Sequence, residues 1–156
     1  MTTQSAINDI VSREVIDLHR FFEAWFGGQC ENSDVYFDTR LRNRLAPDFR
    51  IVMPGGRMLR GAALLADMRQ AHGANLRFRI NIRNVEVRSL GEDGKLILAT
   101  YEEWQKNALN SKPPNNARIS SALLKRDDAA PNGLIWVHVH ETWLPGAEVS
   151  ADPIDF

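Results

Sequence analysis

The sequence is poor in the features that mark several classes of protein. It contains one cysteine, Cys30, among its 156 residues, so it cannot form an internal disulfide and must depend on a hydrophobic core. It also lacks an excess of either charge, because 19 basic and 20 acidic side chains give a net charge of −1. A nearly neutral chain does not gather phosphates from a distance, which argues against nucleic acid or a membrane surface as its partner.

Long hydrophobic runs are absent as well. The first twenty residues mix charged and apolar side chains, unlike a signal peptide, and no stretch approaches the ~20 apolar residues that cross a bilayer. We therefore expect a cytoplasmic protein with one domain over 1–156, its core at about 5–145 and a C-terminal tail at 146–156. A chain of this size buries about 70% of its extended surface on folding, which is enough for a core.

The N-terminal third predicts helices. Apolar residues between Ile7 and Trp25 recur at three- and four-residue steps, which places them on one stripe of a helix that ends at Gly27 and Gly28. Such a stripe must cover a sheet or another helix, because an isolated amphipathic helix is marginal in water.

Two shorter helices are predicted next. The first begins near Ser33, continues through Leu45 and stops before Pro47, and the second follows Gly61 and ends near Gly73. The first of these helices contains three alternate arginines, Arg40, Arg42 and Arg44, which we interpret as a solvated face.

The period of the apolar residues changes from 3.6 to 2 after Leu76, which predicts strands. Even positions are apolar up to Ile82 and odd positions from Val85, so one extra residue near Arg83 and Asn84 predicts a β-bulge. Further strands are predicted near 95–106, 117–125 and 134–144, after a short strand at 49–53. The fold class is therefore α+β, with N-terminal helices packed on a strongly curved, mainly antiparallel sheet.

The order of these elements, together with four short segments, resembles the nuclear transport factor 2-like superfamily. The segments are Trp25, Ala46-Pro47-Asp48-Phe49, Tyr101-Glu102-Glu103-Trp104 and Val137-His138-Val139-His140-Glu141-Thr142-Trp143. Within the superfamily, the chain is similar to a domain-of-unknown-function branch related to ketosteroid isomerase-like and SnoaL-like proteins. The resemblance covers residues 11–145 and implies a cone-shaped, cystatin-like domain with a pocket inside the curl of the sheet and a mixed sheet edge. It also implies dimers that form through the sheet.

A pair of histidines carries the candidate site. His138 and His140 stand two apart on a strand, so their side chains are expected on one face. Glu102, Trp104 and Arg118 occupy matching positions of the preceding strands, which predicts a cross-strand cluster. The candidate catalytic residues are His138, His140 and Glu102, which would act as a general base or bind an acidic ligand. The same residues are also typical of a hydrogen-bond network at a subunit interface, and both interpretations stay open.

No metal and no cofactor are predicted. The two histidines and Glu102 could supply three ligands, but no third histidine or cysteine lies at an informative spacing.

The resemblance to ketosteroid isomerases also limits the chemistry. Their general-base aspartate precedes a proline in the first hairpin, where this chain has Met53, and a thioether cannot take a proton. Their second carboxylic acid corresponds to the strand near 119–125, which contains no carboxylate. Met53 is kept as a ligand-contacting residue, and Tyr36 as a hydrogen-bond donor to the ligand.

Two functions are consistent with the sequence. The first is a small-molecule-binding domain whose hydrophobic, polar-lined pocket holds a small apolar or acidic molecule; isomerase-, cyclase- or dehydratase-like catalysis is left open. The alternative is a non-catalytic homodimeric association module, which resembles the association domain of calmodulin-dependent kinases through the VHxH pattern at 137–140. In that case Val137, Val139 and Trp143 would supply the outer face of the sheet.

Overall fold

Helices and strands occur in the predicted order over residues 3–146, the part of the chain that the computed structural model describes. The expected tail lies outside the described residues beyond Gly146. The helices are α1 (Thr3–Phe26), α2 (Asp34–Arg40) and α3 (Gly61–Arg69). The strands are β1 (Leu45–Val52), β2 (Met58–Arg60), β3 (Arg79–Leu90), β4 (Leu96–Lys106), β5 (Asn116–Arg126) and β6 (Leu134–Trp143).

The strands form one curled, mixed sheet in the order β2-β1-β6-β5-β4-β3. The strands β3 to β6 are an antiparallel meander, and β1 joins its end by pairing in parallel with β6. The predicted bulge in β3 is confirmed, since the register shifts between Arg83 and Glu86 and Asn84 has a positive φ of 55°. The α+β class and the mixed edge are as predicted.

The apolar stripe of α1 faces the sheet and forms the middle of the core. Val11, Val15 and Trp25 are fully buried. The Trp25 indole N–H donates to the Met68 carbonyl over 2.7 Å, which fixes α3 against α1. The end of α1 turns at Gly28, where an added Cβ would lie 3.2 Å from the Cα of Gly73. Glycine is therefore needed for this close approach of the two turns.

The second helix is shorter than the sequence predicts. Ser33 caps it by accepting a hydrogen bond from the Tyr36 N–H, but it ends at Arg40 rather than near Leu45, and a 3-10 turn at Arg42–Arg44 follows. Leu45 instead begins β1, where it pairs with Trp136 of β6. Pairing across the sheet has overridden the local helical pattern.

The interpretation of Arg44 as a solvated residue is wrong. Its guanidinium is 2% exposed and donates to the fully buried Glu14 carboxylate of α1 over 2.5 Å. The same carboxylate accepts hydrogen bonds from Asn132, at 2.7 Å, and from the Trp136 indole, at 2.9 Å. Removal from water is tolerable for these charges because each is paired and hydrogen-bonded. This contact ties α1 to the start of β1 and to β6.

We predict that Arg44→Ala lowers the free energy of unfolding by about 3–5 kcal/mol, because it leaves the Glu14 charge buried without its counterion. Arg42→Ala is the matched control, since Arg42 pairs with Asp38 on the surface and should cost less than about 1 kcal/mol. Urea unfolding of both variants measures the difference. Equal losses would contradict this role for Arg44.

Candidate functional site

A cavity of about 480 Å³ lies between the helices and the inner face of the sheet. Most of its wall is apolar and comes from every layer of the fold. The aromatic part of this wall consists of Phe22, Phe26, Phe49, Phe78, Tyr101 and Trp136. Aliphatic side chains such as Leu64 and Val139 fill the spaces between the rings. The size and the apolar lining are typical of a small-molecule site.

One end of the cavity is polar, and its side chains form a continuous chain of hydrogen bonds. His19 of α1 contacts Glu103 of β4 at 3.1 Å, and Gln105 donates to the other oxygen of Glu103 at 2.6 Å. Arg118 of β5 donates to Gln105 at 3.2 Å and to Glu141 of β6 at 2.7 Å. We call these five residues the inner cluster. All of them line the cavity although each is at most 7% exposed.

The protonation of His19 follows from its contacts. Its Nδ1 lies 2.7 Å from the Val15 carbonyl, which can only accept, so Nδ1 carries a hydrogen. Burial lowers the pKa of His19, but the charge of Glu103 and the hydrogen bond to it outweigh burial, so the pKa is raised. Burial raises the pKa of Glu103, but His19 and Arg118 lower it more, to about 2. His19 and Glu103 are therefore a buried ion pair at neutral pH.

Glu141 behaves differently from Glu103. Burial and the neighbouring charge of Glu103 raise its pKa to about 7, against the opposing effect of Arg118. Burial also raises the pKa of the Tyr101 hydroxyl, with Glu103 and Glu141 adding to the shift, so Tyr101 stays protonated. The inner cluster thus contains one carboxyl group with a pKa near neutral pH, and a shift of this kind marks a candidate functional group.

The structure brings only two of the seven sequence-predicted site residues to the cavity, namely Met53 and Arg118. His138 and His140 share a face as predicted, but it is the outer face of the sheet. Their expected cluster with Arg118 is not formed.

The remaining candidates also lie away from the cavity. Glu102 and Trp104 are on the outer face of β4, where the Trp104 indole donates to Glu102 at 3.0 Å and the Arg83 guanidinium lies 4.5 Å from its ring centroid. Tyr36 lies on α2, with its ring 6.3 Å from that of Phe21.

A second irregularity in the strand pairing explains why the two histidines lie on the outer face of the sheet and not on the inner one. The pairing of β5 with β6 shifts by one residue, so Leu124 pairs with Trp136 while Leu123 pairs with His138. The extra residue turns Trp136, Val139 and Glu141 to the same, inner face and sends the two histidines outward. A one-residue slip inverts every side chain beyond it.

The same shift of register means that two residues predicted on the outer face, Val139 and Trp143, do not lie there. Val139 is 4% exposed and belongs to the core rather than to that surface. Trp143 is half-exposed and lies on the same face as Glu141, two residues before it. Its ring lies 5.2 Å from the Arg118 guanidinium.

Sequence reasoning missed four members of the inner cluster, and only one of them had a readable signal. His19 stands four residues after Val15, on the buried stripe of α1. Glu103 and Gln105 continue the buried odd positions of β4, but Leu96 and Leu98 make the even positions apolar too, so the alternation could not choose a face. Glu141 had no readable signal, because its orientation depends on the irregularity in β6.

Residues 3–146 contain neither a metal site nor a membrane-spanning helix. No three His, Cys, Asp or Glu side chains of this range are arranged to hold a metal ion. None of its helices is long and apolar enough to cross a membrane.

A family model described as the sucrose-6-phosphate phosphohydrolase C-terminal domain matches residues 11–145. The chain belongs to this family. Among curated relatives, it is 29% identical to sucrose-phosphatase 1 and 28% identical to sucrose-phosphatase 2 of Nicotiana tabacum, each over 92% of its own length. It spans about a third of the length of these relatives, 33% in both cases.

Solved structures confirm the superfamily resemblance. An NTF-2 like protein of unknown function from Pseudomonas aeruginosa is 27% identical, with a TM-score of 0.72 over 86% of this chain and 98% of that one. The association domain of C. elegans CaMKII has a TM-score of 0.61 over 90% of this chain and 98% of its own, at 15% identity. A putative ketosteroid isomerase from Shewanella frigidimarina has a TM-score of 0.57 over 85% and 94%, at 16% identity. The last two likenesses show the fold alone.

The pKa of Glu141 gives a prediction for stability. A carboxyl group whose pKa rises from 4.5 to about 7 on folding stabilises the protein fully below about pH 4.5, and this contribution is lost as the pH rises through 7. We expect the wild type to lose on the order of 3 kcal/mol relative to Glu141→Gln between about pH 4 and pH 8. Chemical unfolding at several pH values measures this difference.

Glu102→Gln is the control for this experiment, because Glu102 lies on the outer face of β4. Its stability should follow that of the wild type at every pH. Parallel curves for the wild type and Glu141→Gln would show that Glu141 does not titrate in this range.

Proposed function

We propose that this domain binds a small molecule with a mainly apolar body and one polar group, and that the polar group contacts the inner cluster. The observation that carries the proposal is the position of this charged cluster in the wall of a mainly apolar cavity of about 480 Å³. A domain built only for stability would fill this space, because unfilled apolar volume is destabilising.

Part of the cavity wall reaches the protein surface. Leu109 and Asn110 of the β4–β5 loop and Ala74 before β3 line the cavity, and Leu109 is 72% exposed. The Asn75 side chain donates to the Asn107 carbonyl at 2.7 Å, which joins the two segments. A ligand would pass these segments with its polar group leading toward Arg118 and Glu141.

A phosphorylated sugar is a poor match, although curated relatives are named sucrose-phosphatases. Its many hydroxyl groups would each need a hydrogen-bond partner, whereas the wall outside the inner cluster is mainly apolar, with Asn75, Asn110 and Ser111 as its polar side chains. Its phosphate would also meet the carboxylates of Glu103 and Glu141. The proposed role is therefore ligand binding rather than sugar phosphate hydrolysis. Met53 contributes a thioether to the wall and no acid–base chemistry.

The proposal is tested by the thermal stability of the protein with 4-phenylbutyrate and 4-phenylbutanol, compared with sucrose and sucrose 6-phosphate. A ligand at 100 times its dissociation constant adds about 2.7 kcal/mol. We expect one or both phenyl compounds to stabilise the protein and neither sugar to do so. Stabilisation by sucrose 6-phosphate alone would overturn the proposal.

A pair of variants locates the binding. Ala71→Trp places an indole in the cavity that Ala71 lines and should abolish stabilisation by the phenyl compounds. Ala66→Trp puts the same ring on the exposed side of α3 and should leave it unchanged. An equal response of the two variants would place the binding elsewhere.

A second candidate function is self-association through the outer face of the sheet. Three large apolar side chains are exposed there, Leu96 at 42%, Leu98 at 38% and Ile119 at 36%. Leu98 pairs with Leu123, which pairs with His138, so the histidines lie on this same surface. Exposed apolar side chains that share one sheet face favour an interface over a solvated surface. The histidines would then be interface residues.

We expect light scattering to show a homodimer, and Ile119→Glu to convert it to a monomer at micromolar concentration. A two-fold interface contains the new charge twice, and burying unpaired charge is costly. Val35→Glu is the control, because Val35 is an exposed apolar residue on α2. A monomeric wild type, or a dimer that Ile119→Glu leaves intact, would contradict this candidate.

A further inference from the structure

The inner cluster is balanced in charge when Glu141 is ionised. His19 and Glu103 form one ion pair, with side chains 4% and 7% exposed. Arg118 and Glu141 form the other, at 7% and 6%. A further charge brought into this space would be unpaired, and an unpaired buried charge is strongly unfavourable.

Glu141 offers one free position to the cavity. Its Oε2 accepts the hydrogen bond from Arg118, and its Oε1 receives none from any residue that the structure describes. A carboxylate oxygen without a donor is a place for a hydrogen-bond donor. Glu141 itself lines the cavity, so this donor can come from a ligand.

Arg118 has donors to spare beside this oxygen. A guanidinium has five N–H groups, and the hydrogen bonds of Arg118 to Glu141 and Gln105 use two of them. A polar group that donates to Glu141 and accepts from Arg118 would satisfy both residues. A carboxylic acid in its protonated form has a donor and an acceptor in one plane.

We propose that the ligand of this cavity is a small apolar carboxylic acid, which binds with one proton that its carboxyl group shares with Glu141. This inference rests on the proposed function and adds the chemical class of the ligand. The proton balance is simple: the ligand arrives as a carboxylate from neutral solution, one proton comes from the solvent, and the complex holds two carboxyl groups with one negative charge. Two close carboxylates cannot both stay ionised.

The groups around Glu141 favour this arrangement. Arg118 of β5 donates to it, and Glu103 and Tyr101 of β4 and His19 of α1 act on its charge through space. Glu103 is held ionised by His19 and Arg118. The added proton therefore belongs to Glu141 and the ligand, not to Glu103. The raised pKa of Glu141 in the empty cavity agrees with this.

The test is calorimetric binding of 4-phenylbutyrate in two buffers with different heats of ionisation, which counts the protons taken up. At about pH 8 we expect close to one proton per ligand for the wild type, and an affinity that falls about tenfold per pH unit above pH 7. Glu141→Gln should bind the acid with no proton uptake and little pH dependence, because its amide already supplies the donor. Glu102→Gln, the outer-face control, should match the wild type.

Each other outcome counts against the inference. Binding of 4-phenylbutyrate by the wild type without proton uptake overturns it, and this measurement does not require the variant to fold. Binding of 4-phenylbutanol but not of the acid overturns the acid assignment and leaves the proposed binding function intact. Binding of neither compound overturns the proposed function, and the inference with it.

Discussion

The position of α1 over the sheet depends on two buried ionic contacts five residues apart along the helix. Glu14 pairs with Arg44 in the turn just before β1, and His19 pairs with Glu103 near the end of β4. Apolar packing between a helix stripe and a sheet is not directional. Buried charges allow far fewer arrangements, because displacement would leave them unpaired. These contacts fix the helix in one register on the sheet.

The two contacts have different surroundings. The Glu14 carboxylate is surrounded by donors from Arg44, Asn132 and Trp136, and none of it is exposed. The His19–Glu103 pair instead opens on a cavity and continues through Gln105 and Arg118 to Glu141. The Glu14–Arg44 contact therefore only stabilises the fold. The second holds the helix in place and also presents charged groups to the interior, which is why the proposed ligand site lies there.

The two faces of the sheet carry different sets of side chains. Inner positions carry the inner cluster and the apolar wall, and outer positions carry exposed leucines, Ile119 and the histidine pair. The proposed ligand site and the proposed association surface therefore lie on opposite faces of the sheet. The chain itself spans about a third of the length of the sucrose-phosphatases that it matches.

Much of the fold could be predicted from the sequence. The stripe of α1, the Ser33 cap, the change of period after Leu76 and the slip at Asn84 are local patterns, and each of them fixed an element or a bend. The candidate site was predicted only in part. Met53 and Arg118 line the cavity, whereas the face of His138, His140 and Glu102 was decided by strand pairing.

The physical reason is that side-chain direction in a strand has a period of two, so a single unpaired residue reverses everything after it. In β3 the extra residue interrupts a regular alternation of apolar side chains, so it can be recognised in the sequence. In β6 it falls between Trp136 and Val139, where both parities carry apolar side chains and the sequence contains no mark of it. The sequence by itself determined the elements, their order and the superfamily. Only the tertiary structure decided that Arg44 is buried and that His19, Glu103, Arg118 and Glu141 meet, because these contacts join four elements far apart in the chain.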